Sequence, residues 1–272
     1  SAASAGSAPD VVELSPFQVT AAGDKGYYAA NTLSGTRINT KLEDLGASIT
    51  VVTKQQMQDF AMLDLNDVFL YEANTEGTGN YTDLFIDRNG VAQDNVALDP
   101  NNANRVRGIG PANQAFGNFQ TGVPIDPAMI DSLEISRGPN SNIWGLGSGS
   151  GTVNAIPSAA NLRRESSRLE LRTDSLGGFR TVLDLNRPLI KDKLAVRGMA
   201  IFQEDQYVRQ PSFSRTNRYG GMITYRPFRS TTLRTAVESY ENYARRPNAI
   251  LPRDAISYWQ QSGRPTWDAS TW

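Results

Sequence analysis

The chain of 272 residues contains neither cysteine nor histidine. Without cysteine it can form no disulfide and offers no thiolate as a metal ligand or nucleophile. Without histidine it lacks the commonest general base and metal ligand, and a Ser-His-Asp triad is excluded. A catalyst built from this chain would depend on carboxylates, lysine, tyrosine or serine alone.

An excess of charge of one sign is also missing, since 27 basic residues face 28 acidic ones and the formal net charge is −1. This balance provides no field that would steer the chain toward nucleic acid, so no nucleic-acid partner is predicted. No apolar run approaches the roughly 18–20 residues of a membrane-spanning helix. A membrane location would therefore have to use β-strands.

The first 30 residues are small and polar, which predicts a flexible segment. One apolar island interrupts it, formed by Val11, Val12, Glu13, Leu14, Ser15, Pro16, Phe17, Gln18, Val19 and Thr20. The island could be the first strand of the next domain, or a docking peptide that adds a strand to a partner's sheet edge. Pro16 cannot donate a ladder hydrogen bond, which suits an edge strand in either case.

The region from about Gly35 to Ala160 has the pattern of a compact α+β domain. Residues 48–52 predict a short strand, after which Thr53 is expected to cap a helix. A second helix is predicted to begin at Asp64. Apolar residues at helical spacing are expected to share one face of each helix: Met57, Phe60 and Ala61 in the first, and Leu65, Val68 and Phe69 in the second.

The remainder of this region is interpreted as loops and short strands. Residues 77–105 are rich in Asn, Asp and Gly and predict long loops, which are usually functional or disordered. Residues 105–109 and 133–136 predict short strands. Asp83 and Asp87 in the loop could form a carboxylate pair, although solvated loop residues are the simpler interpretation. The EF-hand pattern fails between Phe85 and Val96, and no metal site or cofactor is predicted.

From about Ser166 to Arg246 apolar and polar residues alternate with period two. Strands of about 9–11 residues with this alternation match the wall of a transmembrane barrel, and also a soluble meander sheet. Two tight, Pro-containing turns follow the second and fourth strands, at 187–192 and 226–230, while the linker at 205–215 is longer and polar. Short turns on one side and longer loops on the other are typical of outer-membrane barrels.

The most distinctive stretch runs from Ile135 to Asn154, where Arg137-Gly138-Pro139 is followed by glycine at every second residue. The spacing does not fit a dinucleotide loop, because no helix follows. The stretch closely resembles the plug signature of TonB-dependent outer-membrane receptors. Residues 105–108, 122–124 and 49–70 resemble further family motifs in the same order, although Thr121 stands where the family has an acid. Val11–Thr20 occupies the position of the family's TonB box.

The resemblance implies an α+β plug domain followed by the first antiparallel strands of a large transmembrane β-barrel. We assign residues 1–30 to the N-terminal segment, 31–160 to the plug, and 166–272 to about five barrel strands and a loop. Family barrels have about 22 strands. Because five strands leave an open edge that cannot persist in hydrocarbon, the chain is expected to be a piece of a longer one, or to be completed by another chain.

The resemblance also implies partners and site residues. Arg107 and Arg137 are expected to pair with barrel glutamates outside this chain, since an unpaired buried charge is costly. TonB, with its inner-membrane energy-coupling complex, is expected to bind Val11–Thr20 by strand addition. An extracellular ligand is expected at loop residues that offer hydrogen-bond donors and stacking faces: Tyr81, Asp83, Arg88, Asn113, Gln114, Phe116 and Phe119.

The leading hypothesis is thus a receptor in the cell outer membrane, not an enzyme, that imports a nutrient of the siderophore, cobalamin or oligosaccharide class. The first alternative is a surface β-rich binding or adhesion protein without transport. A carboxylate-based hydrolase using Asp83 and Asp87 ranks last.

Overall fold

The computed structural model describes residues 26–34, 36, 40–77, 84–86, 92–94, 104–138, 148–208, 210–245 and 255–266. In chain order the elements are β1 (Asn31–Thr32), β2 (Thr40–Lys41), β3 (Ile49–Thr53), α1 (Lys54–Asp59), α2 (Leu65–Phe69), β4 (Thr75–Glu76), β5 (Leu84–Ile86), β6 (Ala92–Asp94), β7 (Arg105–Val106), β8 (Asn113–Phe116), β9 (Phe119–Gln120), β10 (Ile130–Arg137), β11 (Gly151–Pro157), β12 (Ser166–Thr173), β13 (Phe179–Ile190), β14 (Leu194–Gln206), β15 (Phe213–Phe228), β16 (Thr231–Arg245) and α3 (Ala255–Gln261).

A five-stranded sheet in the order β3-β10-β11-β8-β9 forms the centre of the N-terminal half, and we call it the mixed sheet. Its β11 and β8 run parallel, while its other neighbours are antiparallel. β8 and β9 form a hairpin whose two-residue turn, Gly117 and Asn118, has positive φ at both positions. This is the turn geometry that matches the natural twist of paired strands.

The two predicted helices are present and begin where the sequence indicates. Thr53 Oγ1 accepts a hydrogen bond from Gln56 N at 3.2 Å, and Asp64 Oδ1 accepts one from Asp67 N at 2.9 Å. α1 nevertheless ends at Asp59, so Phe60 and Ala61 do not share a helical face with Met57, and Phe60 is exposed. None of the helices among the described residues is long and apolar enough to cross a membrane.

The second five-stranded sheet is antiparallel throughout, in the order β12-β13-β14-β15-β16, and we call it the wall sheet. Its strands reach 16 residues in β15. Three residues connect β13 to β14 and two connect β15 to β16, whereas five and six residues form the connections at the opposite end. The structure therefore confirms the predicted asymmetry of short turns and longer loops.

The two faces of the wall sheet have opposite chemistry. The outer face exposes large apolar side chains that no other described element covers: Leu169, Leu171, Leu183, Leu185, Phe202, Tyr219, Ile223 and Val237. The inner face is covered by the mixed sheet, and its Val182, Met199, Ile201 and Met222 join the same buried cluster as Leu133, Ile135 and Val153. An exposed apolar band opposite a covered face is what a lipid-facing wall requires.

Two predicted loop regions contain short regular elements. Residues 77–105 were expected to be loops, but β5 and β6 pair there as a hairpin of three residues a strand. The loop predicted to follow the barrel strands contains α3. Both elements are too short for hydrophobic periodicity to stand out from the surrounding polar residues.

The glycine-rich stretch ends at a position that tolerates no side chain. Gly151 has a φ of +124°, and a Cβ there would lie 2.2 Å from the carbonyl oxygen of Ser136 on the paired strand. Glycine alone reaches this conformation without strain, so it lets β11 start directly against the end of β10.

Replacing Gly151 with Ala should lower the thermal unfolding temperature of the N-terminal half in the full-length, detergent-solubilised protein. The reason is the combined backbone strain and steric clash, a cost of about 1–3 kcal/mol or more. Gly149→Ala is the matched control, because the nearest atom to its Cβ would be Ile109 Cδ1 at 3.8 Å. Equal unfolding temperatures for the two variants would contradict this role.

Candidate functional site

A buried carboxylate joins the mixed-sheet half to the inner face of the wall sheet. Asp126 precedes a 3-10 turn, Pro127–Met129, and its Oδ1 accepts a hydrogen bond from Ala128 N at 2.9 Å. The same Oδ1 lies 2.7 Å from an Nη2 of Arg180 in β13. Both side chains are 6% exposed, so this charge-assisted bond is screened very little by water.

Arg218 of β15 approaches the same carboxylate from the other side, but less closely. Its Nε lies 3.9 Å from Asp126 Oδ2, which is an ion-pair distance and too long for a hydrogen bond. Its Nη2 donates to Pro124 O at 2.8 Å, its Nη1 contacts Glu238, and its guanidinium lies 4.7 Å from the ring centre of Tyr240. We call Asp126, Arg180, Arg218 and Glu238 the latch.

The latch is a cluster of alternating charge, joined by two hydrogen-bonded ion pairs and one longer ion pair. Buried ion pairs contribute little net stability relative to apolar packing, because each charge loses its hydration. Removing one member, however, leaves an uncompensated charge behind. The latch therefore fixes the position of the plug region against the wall, while apolar contacts supply most of the attraction.

A second polar contact lies where the chain passes from the mixed sheet into the wall. Arg197 of β14 forms a two-pronged ion pair with Asp184 of β13, at 2.8 and 2.7 Å, and its Nη1 donates to Ala159 O at 3.1 Å. Nearby, Lys54 Nζ lies 3.0 Å from Ser158 Oγ and 3.5 Å from Asp131. Burial lowers the pKa of Lys54, and Asp131 acts in the opposite direction.

A third polar cluster lies inside the mixed-sheet half and contains a fully buried acid. Glu134 of β10 accepts a hydrogen bond from Leu33 N at 3.1 Å and contacts Ser34 Oγ and Asn154 Nδ2. Burial raises the pKa of Glu134, and the hydrogen bonds, of which that from Ser34 is the largest, act against this. The Glu134 carboxyl thus holds residues 31–34, at the start of the mixed-sheet half, against β10.

The predicted ligand residues fall into three groups. Tyr81, Asp83 and Arg88 lie outside the described residues, as does Asp87. Asn113 and Gln114 line a polar cavity of about 460 Å³ together with Gln120 and Thr121. Phe116 and Phe119 instead line a different cavity, of about 280 Å³, between the β8–β9 hairpin and the wall sheet. The structure therefore does not bring the two phenylalanines together with the two amides in one cavity.

Arg137 has a partner within the mixed-sheet half. Its Nη2 lies 2.8 Å from Glu72 and its Nη1 lies 2.6 Å from Thr50 Oγ1. Sequence reasoning assigned it a glutamate outside this chain, and the partner present is Glu72, which the chain itself supplies from just beyond α2.

Arg107 is exposed, has a φ of +57°, and forms no ion pair with another described residue. Val11–Thr20 lie outside the described residues.

Sequence reasoning missed the latch and Glu134. Asp126 carried one usable signal, since an acid directly before Pro127 is a typical helix-start pattern. Arg180 and Arg218 lie on the covered face of alternating strands, which the pattern itself indicates. Whether both arginines reach the same carboxylate depends on the register of the wall strands and on how the plug packs against the wall. A sequence pattern gives neither. Among the described residues, no group of three or more acidic side chains is placed to hold a metal.

Comparison with known proteins decides the family. Residues 41–152 match the family model described as the TonB-dependent receptor plug domain. The chain carries the plug domain of a TonB-dependent receptor. The family confirms the resemblance seen in the sequence, and it assigns the protein to the outer membrane, as predicted.

The relatives are receptors named for metal-binding small molecules. The chain is 28% identical over 199 residues to a metal-pseudopaline receptor of Pseudomonas aeruginosa, covering 71% of this chain and 26% of that protein. It is 24% identical to the ferripyoverdine receptor of the same organism, over 80% of this chain and 26% of that protein. The chain thus spans about a quarter of the length of the curated relatives it matches.

Solved structures show the same fold. The pyoverdine outer-membrane receptor of Pseudomonas aeruginosa superposes with a TM-score of 0.69 at 20% identity, over 86% of this chain and 33% of that one. The alcaligin outer-membrane receptor of Bordetella pertussis gives a TM-score of 0.63 at 20% identity, over 81% and 36%. These matches confirm a plug followed by antiparallel barrel strands, and the wall sheet is part of that barrel wall.

Replacing Asp126 with Asn should loosen the plug from the wall, because Arg180 would stay buried without its countercharge, while Arg218 would keep only Glu238. The expected loss is about 3–5 kcal/mol in the free energy that holds the plug in place. Denaturant unfolding of the plug within the full-length protein measures it. Asp192→Asn is the matched control, since its ion pair with Arg163 is exposed and should matter little. Equal effects of the two variants would contradict the latch.

Proposed function

We propose that the protein binds a metal–siderophore complex on the outer surface of the cell and imports it into the periplasm. Support for the ligand class comes from the relatives, which are receptors for metal-pseudopaline, ferripyoverdine and ferrichrome. Within the predicted range of nutrients, siderophores are therefore favoured over cobalamin and oligosaccharides. The observation that carries the import proposal is a plug docked on the inner face of a barrel wall by buried ion pairs.

The outer end of the plug follows from the direction of β11. This strand runs from Gly151 to Pro157, and the chain then contacts a tight turn of the wall, where Asp192 N donates to Leu162 O at 3.1 Å. Tight turns face the periplasm in barrels of this class. The opposite end of β11, whose Thr152 pairs with Asn113, therefore faces outward.

The proposed ligand contact is the cavity at this outer end. Its described lining includes Asn113, Gln114, Gln120 and Thr121, which offer amide and hydroxyl groups and no charge. Such groups can donate to and accept from the polar backbone of a chelate without competing for its metal. Tyr81, Asp83 and Arg88 remain predicted ligand contacts of the same site. Phe116 and Phe119, also predicted ligand contacts, line a separate cavity nearer the tight turns.

Energy coupling is proposed to act through Val11–Thr20. An extended peptide can add a strand to the sheet edge of TonB, with backbone hydrogen bonds supplying affinity. A force applied there would reach the plug through the segment that enters at residues 26–34. A surface adhesion protein, the alternative function, would need no such segment.

Replacing Val12 and Leu14 together with Pro should abolish uptake while ligand binding is retained, because proline removes the amide donors that strand addition uses. The measurement is uptake of radioactive iron supplied as ferripyoverdine, ferrichrome and other ferric siderophores, in cells that lack their own receptors. Binding of the same complexes is measured in parallel on de-energised cells.

The control carries two prolines at Ala3 and Ala5, outside the segment, and should transport normally. Full uptake by the Val12→Pro, Leu14→Pro variant would overturn energy coupling through this segment. Binding without uptake by the unmodified protein would favour the adhesion alternative. Failure to bind any ferric siderophore would overturn the proposed ligand class.

A further inference from the structure

Three short segments meet at the tight-turn end of the wall sheet. They are residues 162–165, which lead into β12, residues 190–194, which connect β13 to β14, and residues 226–231, which connect β15 to β16. We call these segments the basic rim. They contain only two acidic residues but six basic ones: Arg163, Arg164, Lys191, Lys193, Arg226 and Arg229.

The positive charge of the basic rim is local. The whole chain has a formal net charge of −1. The connections at the opposite end of the wall, residues 174–178 and 207–212, contain one acid and one base. The excess of basic residues at the tight turns is therefore a segregation of charge and does not follow from the composition of the chain.

Most of the rim charge has no countercharge among the described residues. Asp192 pairs with Arg163, while Glu165 pairs at 2.8 Å with Arg187, which lies just outside the rim. The five other rim cations form no ion pair with a described residue, and all of them except Arg226 are exposed. The rim therefore presents charge that an anion from outside the chain can neutralise.

The rim cations also lie close to one another. Arg226 N donates to Lys193 O at 2.7 Å, so the two tight turns are in contact. Arg163 lowers the pKa of Asp192 through its hydrogen bond, and the charges of Lys191 and Arg226 act in the same direction. Several cations thus surround one carboxylate. Like charges at this spacing repel one another, and a bound anion relieves that repulsion.

Exposed apolar side chains lie beside the rim cations. Leu189 and Phe228, near the ends of β13 and β15, are 61% and 70% exposed, and Tyr225 is exposed as well. Because Tyr225 follows Ile223 by two residues, it continues the lipid-facing side of β15 toward the rim. The basic rim therefore lies just beyond the apolar band, at the depth where lipid headgroups lie.

Two kinds of periplasmic anion carry enough charge to neutralise the rim, the cell-wall polymer and an anionic phospholipid. A polymer would meet the cations but would leave Leu189 and Phe228 in water. A phospholipid matches both features, because its phosphate meets the cations and its acyl chains cover the apolar side chains. An anionic headgroup is favoured over a zwitterionic one, whose ammonium group the unpaired cations repel.

We propose that the basic rim binds the headgroup of an anionic phospholipid in the periplasmic leaflet, with the phosphate between Lys193 and Arg226. The acyl chains lie against Tyr225 and Phe228. The lipid also steadies the segment that leaves the plug, because Leu162 is hydrogen-bonded to the same turn. This inference rests on the family of the chain and on the periplasmic orientation of tight turns, and not on the proposed import.

The test measures lipid binding to the full-length protein by native mass spectrometry in a neutral detergent. Phosphatidylglycerol and phosphatidylethanolamine with the same acyl chains are titrated in turn. The unmodified protein should bind phosphatidylglycerol about tenfold more tightly. Replacing Lys193 and Arg226 together with Gln should remove this preference, and added salt should weaken it.

Two further variants separate loss of charge from loss of structure. The matched control is Arg245→Gln with Arg264→Gln, which removes the same charge from exposed arginines outside the rim that form no ion pair with a described residue. It should keep the preference for phosphatidylglycerol. The exchange of Lys193→Arg with Arg226→Lys retains both positive charges and should keep the preference as well.

Equal affinity for the two lipids, or a preference that the double Gln variant retains, would overturn the proposal. Soluble glycerophosphoglycerol carries the headgroup without acyl chains, and if it competed at equal concentration the site would be one for free phosphate. Co-sedimentation with purified peptidoglycan that only the double Gln variant loses, without any lipid preference, would assign the rim to the cell wall. These readouts need neither a siderophore nor TonB, so they stand apart from a failure of the proposed import function.

Discussion

The arrangement of this protein depends on one buried carboxylate. Asp126 belongs to the plug, yet its charge is balanced by Arg180 and Arg218, which belong to the wall. Arg180, at 6% exposure, has no other acidic partner among the described residues, and burying an unpaired guanidinium is costly. Plug and wall therefore depend on one another at this point, because the plug carboxylate supplies the charge opposite to that of the inward-facing Arg180.

This coupling would let the plug be both tightly packed and movable, as the proposed import requires. Apolar side chains of the two sheets, including Met129 and Met222, share one buried cluster and exclude water at rest. The ion pairs fix where the plug sits against the wall more than they add to the stability of the interface. Water can replace each charged partner if the plug shifts. An interface held by apolar packing alone would offer no such exchange of partners. Both arginines hydrogen-bond the plug, Arg180 at the Asp126 carboxylate and Arg218 at the Pro124 carbonyl oxygen.

Much of the fold followed from the sequence, and the reasons are local. Thr53 and Asp64 are capping residues, and their helices begin where they stand. The two-residue period from Ser166 onward predicted the wall strands, because strand alternation depends only on neighbouring residues. The hairpin at β5 and β6 escaped prediction because three residues a strand provide too few repeats of any period.

The sites were harder to predict because they depend on long-range pairing. Arg137 was predicted to pair with a glutamate outside this chain, and its partner Glu72, 65 residues away, could be found only from the folded chain. Likewise Glu134 and Ser34 are 100 residues apart. Asn113 and Phe119 stand close together in sequence, but the hairpin turn between them directs their side chains to different cavities.

The central claim is that the plug moves against the wall during transport, and a distance measured across their boundary tests it most directly. The chain has no cysteine, so spin labels can be attached at Val123→Cys on the plug and Val208→Cys on a wall loop, both of which are exposed. Pulsed electron paramagnetic resonance on cells should give one narrow distance distribution at rest. A second, longer population should appear when a ferric siderophore and an energised inner membrane are both present. A single unchanged distribution during demonstrated uptake would contradict the account.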